Sequence, residues 1–457
     1  MKKYFFNIKW SLMMNENNKK SLPSTLRKTM NLFSKRNILF FVLLVLLLTA
    51  SSCKNEYPDS IFNPDETYKP DPVITDIVSA NSLVLAGVDT LTIVGKNFST
   101  NVQEDLVYFD GELAQVISAT TTSMRVVPPN VPGDSIDVKL NVHGALQFAD
   151  YSPFRLDSAF VPYLDFGKFD IPYPLTTDAN ENVYVSMFGK TIIKVSPSRE
   201  KSDYLTNAFT TKASGMKIGP DGSLFYVNVI QFLIRIPPGG GSNELYATLP
   251  GGVADLDFDA DHNIYCAGSG GAIYKVAPDK SVSTVKDSLF TKIFTLRVFD
   301  GYVYYAGEYV GNDPNHAKKG VWRNKILPSG ISLGETELVF DWVSNFSLDL
   351  DINAITFSAD GDMLIGTNSP EGIIVVSSSG NFHPLYPNVF KSFFVTDDPT
   401  TEVKESAITS FAWGTGTFLY AIRKYTILNK STNAETNSSE LLRFQMRKLG
   451  APYYGFQ

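Results

Sequence analysis

The chain has 457 residues, room for two to four domains, and its 44% hydrophobic content supplies real cores but not a polytopic membrane protein. The formal charge of −7 hides an asymmetry: residues 1–52 carry nine Lys/Arg and one acid, and the rest holds 31 basic against 46 acidic groups, a balance of −15. So acidic a body argues against nucleic acid or anionic lipid as a partner, because neither releases counterions onto it, and leaves neutral sugars and cationic ligands open.

Residues 38–48 are an eleven-residue apolar run preceded by Lys35 and Arg36. The run is too short to span a bilayer and has the length of a secretory h-region. The following Leu48-Thr49-Ala50-Ser51-Ser52-Cys53 resembles a bacterial lipobox, which implies cleavage before Cys53 and lipidation of its thiol. Met30 offers an alternative start, since residues 30–53 alone make a complete lipoprotein signal. Residues 54–72 hold Pro58, Pro64, Pro70 and Pro72 with Asp59, Asp65, Glu66 and Asp71, the composition of an extended, solvated tether. Acidic residues just after the lipidated cysteine resemble the surface-export signals of outer-membrane lipoproteins in glycan-foraging diderm bacteria. The expected location is therefore the outer membrane, anchored through Cys53 and facing outward.

Residues 73–157 carry short alternating runs at 72–77, 82–86, 89–94, 106–109, 112–118, 123–127 and 135–142, separated by Gly, Pro and Asn turns. This spacing predicts a small antiparallel sandwich. Leu91-Thr92-Ile93-Val94-Gly95-Lys96-Asn97-Phe98, with Val107-Tyr108-Phe109-Asp110-Gly111, resembles the IPT/TIG immunoglobulin-like domain. The resemblance implies positive-φ turns at Gly95 and Asn97, a core plug at Phe98, and a spacer role.

From residue 158 to 457 a four-strand unit repeats, most plainly at residues 251–287. The second strands begin at 183, 224, 264, 303, 363 and 418, steps of 41, 40, 39, 60 and 55. A pitch near 40 with four strands per unit predicts an all-β, six-bladed propeller. Third strands such as Ile192-Ile193-Lys194-Val195-Ser196-Pro197 and Ile273-Tyr274-Lys275-Val276-Ala277-Pro278, with Asp-Gly or Asp-Asn turns before the second strands, resemble the NHL-type propeller. Residues 159–166 are expected to supply the outer strand of the last blade and so remove an exposed edge.

Turns between first and second strands are minimal, and the long insertions (307–320, 341–352, 394–406 and 424–439) all fall on the opposite face. Loops of such length point to a binding face there. Sugar recognition needs flat aromatic faces and planar polar groups. On that face the candidates are Tyr309, Trp342, Phe346 and Tyr425, with Asn312, Asp313, His316, Asn345 and Arg423. Trp322 and Trp413 lie in strand runs and read as core.

No catalytic constellation is evident: no Gly-x-Ser-x-Gly elbow, no P-loop, and four histidines that fall singly. Two cysteines, Cys53 and Cys266, make neither a disulfide framework nor a thiolate metal site. Asp257, Asp259, Asp261 and Asn263 begin like a calcium loop, but His262 and Gly268 stand where an EF-hand needs Gly and Glu. Asp349 and Asp351 flank Leu350, so alternation puts both on one face, as a metal or a general acid/base pair would need. No cofactor is implied, and calcium at residues 257–263 is a metal to test.

Tether, spacer and propeller together resemble the accessory binding lipoproteins of starch-utilisation-type import systems. The expected function is surface binding of a polysaccharide or oligosaccharide, with an outer-membrane transporter complex as a further expected partner. Two rivals remain: a propeller polysaccharide lyase or hydrolase, which needs clustered carboxylates near the axis, and a protein–protein scaffold in an outer-membrane complex.

Overall fold

The computed structural model describes residues 68–456 apart from 168, 391–395 and 397. The apolar run, Cys53 and most of the tether lie outside the described residues. Among the described residues no helix is long and apolar enough to cross a membrane.

The first sandwich pairs two four-stranded sheets. One orders Val73–Ser79, Leu91–Lys96, Ser123–Val127 and Gln115–Ala119; the other orders Glu112–Leu113, Asp105–Phe109, Gly133–Val142 and Ala149–Leu156. Period-two alternation puts Leu91, Ile93, Val107, Phe109, Val138 and Leu140 inward, where they bury completely. Phe98 plugs this core and Asn97 is left-handed (φ 62°), as the sequence implies. Gly95 has a different reason: a Cβ there would strike the Val73 carbonyl and the Phe98 ring, so its need is close approach. The run at 82–86 is not a strand. It is a loop in which Leu85 bridges to Asp157 and Asp89 accepts from the Leu85 amide at 2.6 Å.

The remaining described residues form six four-stranded blades. Blade 1 is Pro172–Thr177, Val183–Met187, Thr191–Val195 and Lys201–Leu205. Blade 2 is Gly215–Ile218, Leu224–Val227, Phe232–Ile236 and Glu244–Thr248. Blade 3 is Asp255–Phe258, Ile264–Ala267, Ile273–Val276 and Val282–Lys286. Blade 4 is Thr291–Phe299, Tyr302–Tyr309, Lys319–Ile326 and Leu333–Asp341. Blade 5 is Ile352–Phe357, Met363–Thr367, Ile373–Val376 and Phe382–Pro384. Blade 6 is Thr401–Trp413, Phe418–Asn429 and Ala434–Gln445, completed by Phe160–Asp165 as its outer strand.

Each blade buries both faces against its neighbours, so its second strand is a nearly continuous apolar run. The short first-to-second turns share one geometry. Their fourth position is left-handed, filled by Gly222 and Gly361 but also by Glu181 and His262. In blades 1 and 3 the turn aspartate (Asp178, Asp259) holds the amide of the asparagine four residues on.

Ring closure is as the sequence predicts: Glu440 pairs with Asp165 and Phe444 with Phe160. Two side chains clasp the seam. Glu181 of blade 1 accepts from Thr415 Oγ1, the Gly416 amide and the Tyr420 hydroxyl of blade 6. Tyr163 donates to the Ser196 carbonyl of blade 1 and stacks edge-on against Tyr420. The sandwich meets the propeller at blades 5 and 6, where Leu85 packs with Ala159 and Val389, and Arg447 donates to both oxygens of buried Asp89 at 2.8 Å.

Candidate functional site

Blade 6 departs from the others. Its three long strands stay paired from Phe418 with Gln445 out to Asn429 with Ala434, while its outer strand reaches only Glu440. The excess therefore stands out from the long-loop face as a three-stranded projection. Its base is fixed by Arg423, which donates to Glu440 at 2.6 Å and to Ser406 at 3.1 Å across all three strands. Both charges of that pair are almost wholly buried, and burial raises the Glu440 carboxyl above its usual range despite Arg423.

Between the projection and the rims of blades 5 and 1 lies a cleft of about 600 Å³. Amides and hydroxyls dominate its lining: Asn353, Asn368 and Ser369 from blade 5, and Ser406, Thr409, Thr426, Asn437, Ser438 and Ser439 from the projection. Tyr425 supplies an aromatic ring, held by the Arg423 guanidinium 4.2 Å from its centroid. The Ser369 hydroxyl is buried without a partner among the described residues. Asp170 and Asp351 also line the cleft, paired with Lys201 and Lys319 respectively, while Glu405 is exposed. Lys424 faces the cleft too, and burial first, then neighbouring Lys212, lowers its ammonium pKa to about 8.

The hub is a second polar site. Corresponding first-strand positions of five blades place Thr176, Lys217, Asp257, Arg297 and Thr356 around a cavity of only about 50 Å³. The C-terminal tail closes it, with Tyr453 donating to the Ile218 carbonyl. The rival enzyme reading needs carboxylates here, and Asp255 and Asp257 are present. Asp255 is occupied by Arg297 (2.8 Å), Thr295 (2.8 Å) and the Leu296 amide (3.0 Å); Asp257 accepts from the Val298 amide (3.0 Å) and lies beside the plugged cavity. Burial raises the Asp257 pKa and lowers that of Lys217 to about 8.

Of the nine residues singled out in the sequence, Tyr425 lines the cleft. Arg423 lies beneath it, 3% exposed and committed to Glu440, so it positions the site without meeting a ligand. Trp342 is fully buried and donates its indole N–H to the Leu350 carbonyl, a core role. Phe346 stacks on it at 4.3 Å, and Asn345 donates to the Asp341 carbonyl at the end of the same helical turn, Trp342–Asn345. Tyr309, Asn312, Asp313 and His316 form a separate group on blade 4, with Tyr309 stacked on His316 at 3.8 Å and donating no part of the cleft wall. Trp322 is buried core; Trp413 is half-buried at the hub.

The metal readings do not assemble. Asp259 is spent on the amides of Asp261 and Asn263, while Asp257 turns to the hub. Asp349 and Asp351 lie in a loop, with Asp351 paired to Lys319. Among the described residues no three His, Cys, Asp or Glu side chains gather as a metal site. The residues missed in the sequence are polar strand residues, Asn437 to Ser439 and Lys424 foremost. The length of blade 6 pointed to their segment, but nothing marked them singly.

Residues 72–155 match the IPT/TIG domain model. Comparison with curated protein sequences gives no match. Among solved structures, an auxiliary nutrient binding protein from Bacteroides thetaiotaomicron is similar at 10% identity, over 83% of this chain and 99% of that one, with a TM-score of 0.45. Another from Bacteroides ovatus is 11% identical over 84% and 99%, with a TM-score of 0.43. A catalytically inactive virginiamycin B lyase from Staphylococcus aureus with quinupristin is 11% identical over 83% and 96%, with a TM-score of 0.38. Likeness at this level carries no argument about activity. What the chain itself displays is an IPT/TIG domain joined to a six-bladed β-propeller.

Proposed function

We propose that this is a surface glycan-binding protein, lipid-anchored through Cys53, that holds an oligosaccharide in the cleft beside the blade 6 projection. The observation that carries this reading is the lining: a cleft of about 600 Å³ walled by amide and hydroxyl side chains around the Tyr425 ring. Polyhydroxylated ligands exchange water for such groups, and a ring held by a buried guanidinium offers a sugar face a rigid platform. The hub favours a lyase or hydrolase less, because its carboxylates are hydrogen-bonded and its cavity of about 50 Å³ is plugged.

The test is affinity electrophoresis of the detergent-solubilised full chain against a panel of neutral and acidic polysaccharides. At least one should retard it, and Tyr425→Ala should weaken that binding by about 1–2 kcal/mol, roughly tenfold. Retardation by none removes the reading. The anchor is tested separately: Cys53→Ala should abolish metabolic labelling with palmitate.

One observation favours the scaffold reading as well. Phe188, Phe209, Val229, Ile230, Phe290 and Val310 are all exposed at the loop ends of blades 1 to 4 on the cleft-bearing face. A membrane protein that co-purifies with the wild type and is lost from Phe209→Asp/Ile230→Asp, with glycan binding kept, would support it.

A further inference from the structure

We propose that the cleft receives an anionic sugar, a carboxylate or sulfate carried on a polysaccharide, at Lys424 with Lys212 beside it. This deepens the glycan-binding reading and rests on it.

The Lys424 ammonium sits 4.2 Å from the centroid of the Tyr173 ring, and the Lys212 ammonium sits 4.5 Å from the same centroid. Lys212 also donates to the Tyr173 hydroxyl at 3.5 Å. Two cations thus converge on one ring where the first strand of blade 1 meets the projection. Among the described residues neither has an ion pair. Two lysines at the cleft differ: Lys404, which lines it, is held by Glu435, and Lys319 is held by the cleft-lining Asp351.

Like charges held together beside a half-buried ring are costly unless an anion joins them. The ring attracts each cation but cannot neutralise either. Lys424 is fixed by its pairing with Ala407 and Ser439, so its stem cannot leave the wall of the cleft. The acidic balance of the chain, −15 beyond residue 52, means that no general basic field gathers polyanions. A local pair of lysines in an acidic body selects where along a sugar chain the charge falls. Glu405 lines the same cleft and is exposed, so it disfavours a polymer with anions at every position along the wall.

The test compares matched polymers on the full chain by calorimetry and affinity gel: polygalacturonate against its methyl ester, dextran sulfate against dextran, and a wider panel of acidic polysaccharides with their neutral backbones. At least one charged member should bind at least roughly tenfold tighter than its neutral twin. The carboxylate and sulfate arms identify which oxyanion is read. Lys424→Met should abolish that preference, Lys212→Met on the exposed side should reduce it, and Lys424→Arg should retain it, none of them with a lowered melting temperature. Equal binding of charged and neutral twins overturns the proposal and leaves glycan binding standing, as does a preference that survives both methionine variants. Binding to no polymer overturns both.

Discussion

Lys424 makes the cleft sensitive to pH in a range where an ordinary lysine is inert. Its ammonium pKa falls from 10.5 to about 8, first through burial and then through Lys212. The folded chain holds this proton less tightly than the unfolded chain. The stability penalty is therefore fully present below about pH 8 and is relieved as pH rises toward 10.5. Binding of an anionic glycan runs the other way, because it needs the proton. Affinity should fall as pH rises through about 8, and Lys424→Met should flatten the profile in calorimetric titrations. The groups facing Lys424 are Lys212 and the Tyr173 hydroxyl, with Asp170, Asp351, Lys404 and Glu405 lining the same cleft. Beneath it, Arg423 and Glu440 form a pair that single substitution should not spare. Glu440→Ala leaves a buried guanidinium without its carboxylate and should destabilise the protein by about 3–5 kcal/mol in denaturant titration. Residues of this kind are hard to recognise in a sequence. Arg423 and Tyr425 alternate along one strand, yet the first is 3% exposed and the second lines the cleft. Trp342 misleads for the opposite reason: an aromatic in a long loop suggests a platform, but the loop folds back and buries it.

The repeat was legible because each blade announces itself twice, by a strand-length apolar run and by a turn whose fourth residue is left-handed. Blade 6 was less legible. Residues 424–439 look like a polar loop insertion, and the structure makes most of them strand. Their pairing rests on main-chain hydrogen bonds, and with little buried face there is no apolar alternation to read. The cleft followed the same fate, since its wall is that strand. The outer strand of this blade was foreseeable because a ring without it would expose an edge. Its energetic weight can be measured at the seam. Tyr163→Ala removes a buried ring, its bond to the Ser196 carbonyl and its packing on Tyr420, and should cost about 3–5 kcal/mol. Glu181→Ala, losing three acceptor contacts at the seam, should cost about 1–3 kcal/mol. Thermal melts that leave either variant at the wild-type midpoint would contradict the clasp.

At the scale of the molecule, the two domains are not independent beads. Asp89 is 6% exposed and accepts from Arg447, the Asn81 amide and the Leu85 backbone together. Arg447→Ala strands a buried carboxylate and should separate calorimetric unfolding into two transitions, with about 3–5 kcal/mol lost at the joint. A single unchanged transition would mean that the apolar contact of Leu85 with Ala159 and Val389 suffices. The joint lies beside Arg447, after the third strand of blade 6, whereas the cleft opens at the far ends of the same strands. The IPT/TIG domain therefore meets the propeller away from the cleft.

The pairing of Glu440 with Asp165 also dictates an order of events. During synthesis the strand Phe160–Asp165 emerges before any complete blade, and its partner Ala434–Gln445 emerges after five blades have been made. Until then it is an unpaired edge awaiting a distant mate, and contacts so far apart in sequence form slowly. The ring cannot shut on a nascent chain. On the proposed surface location that delay would be an advantage: the chain would stay loose enough to translocate and would lock only once its whole length had crossed.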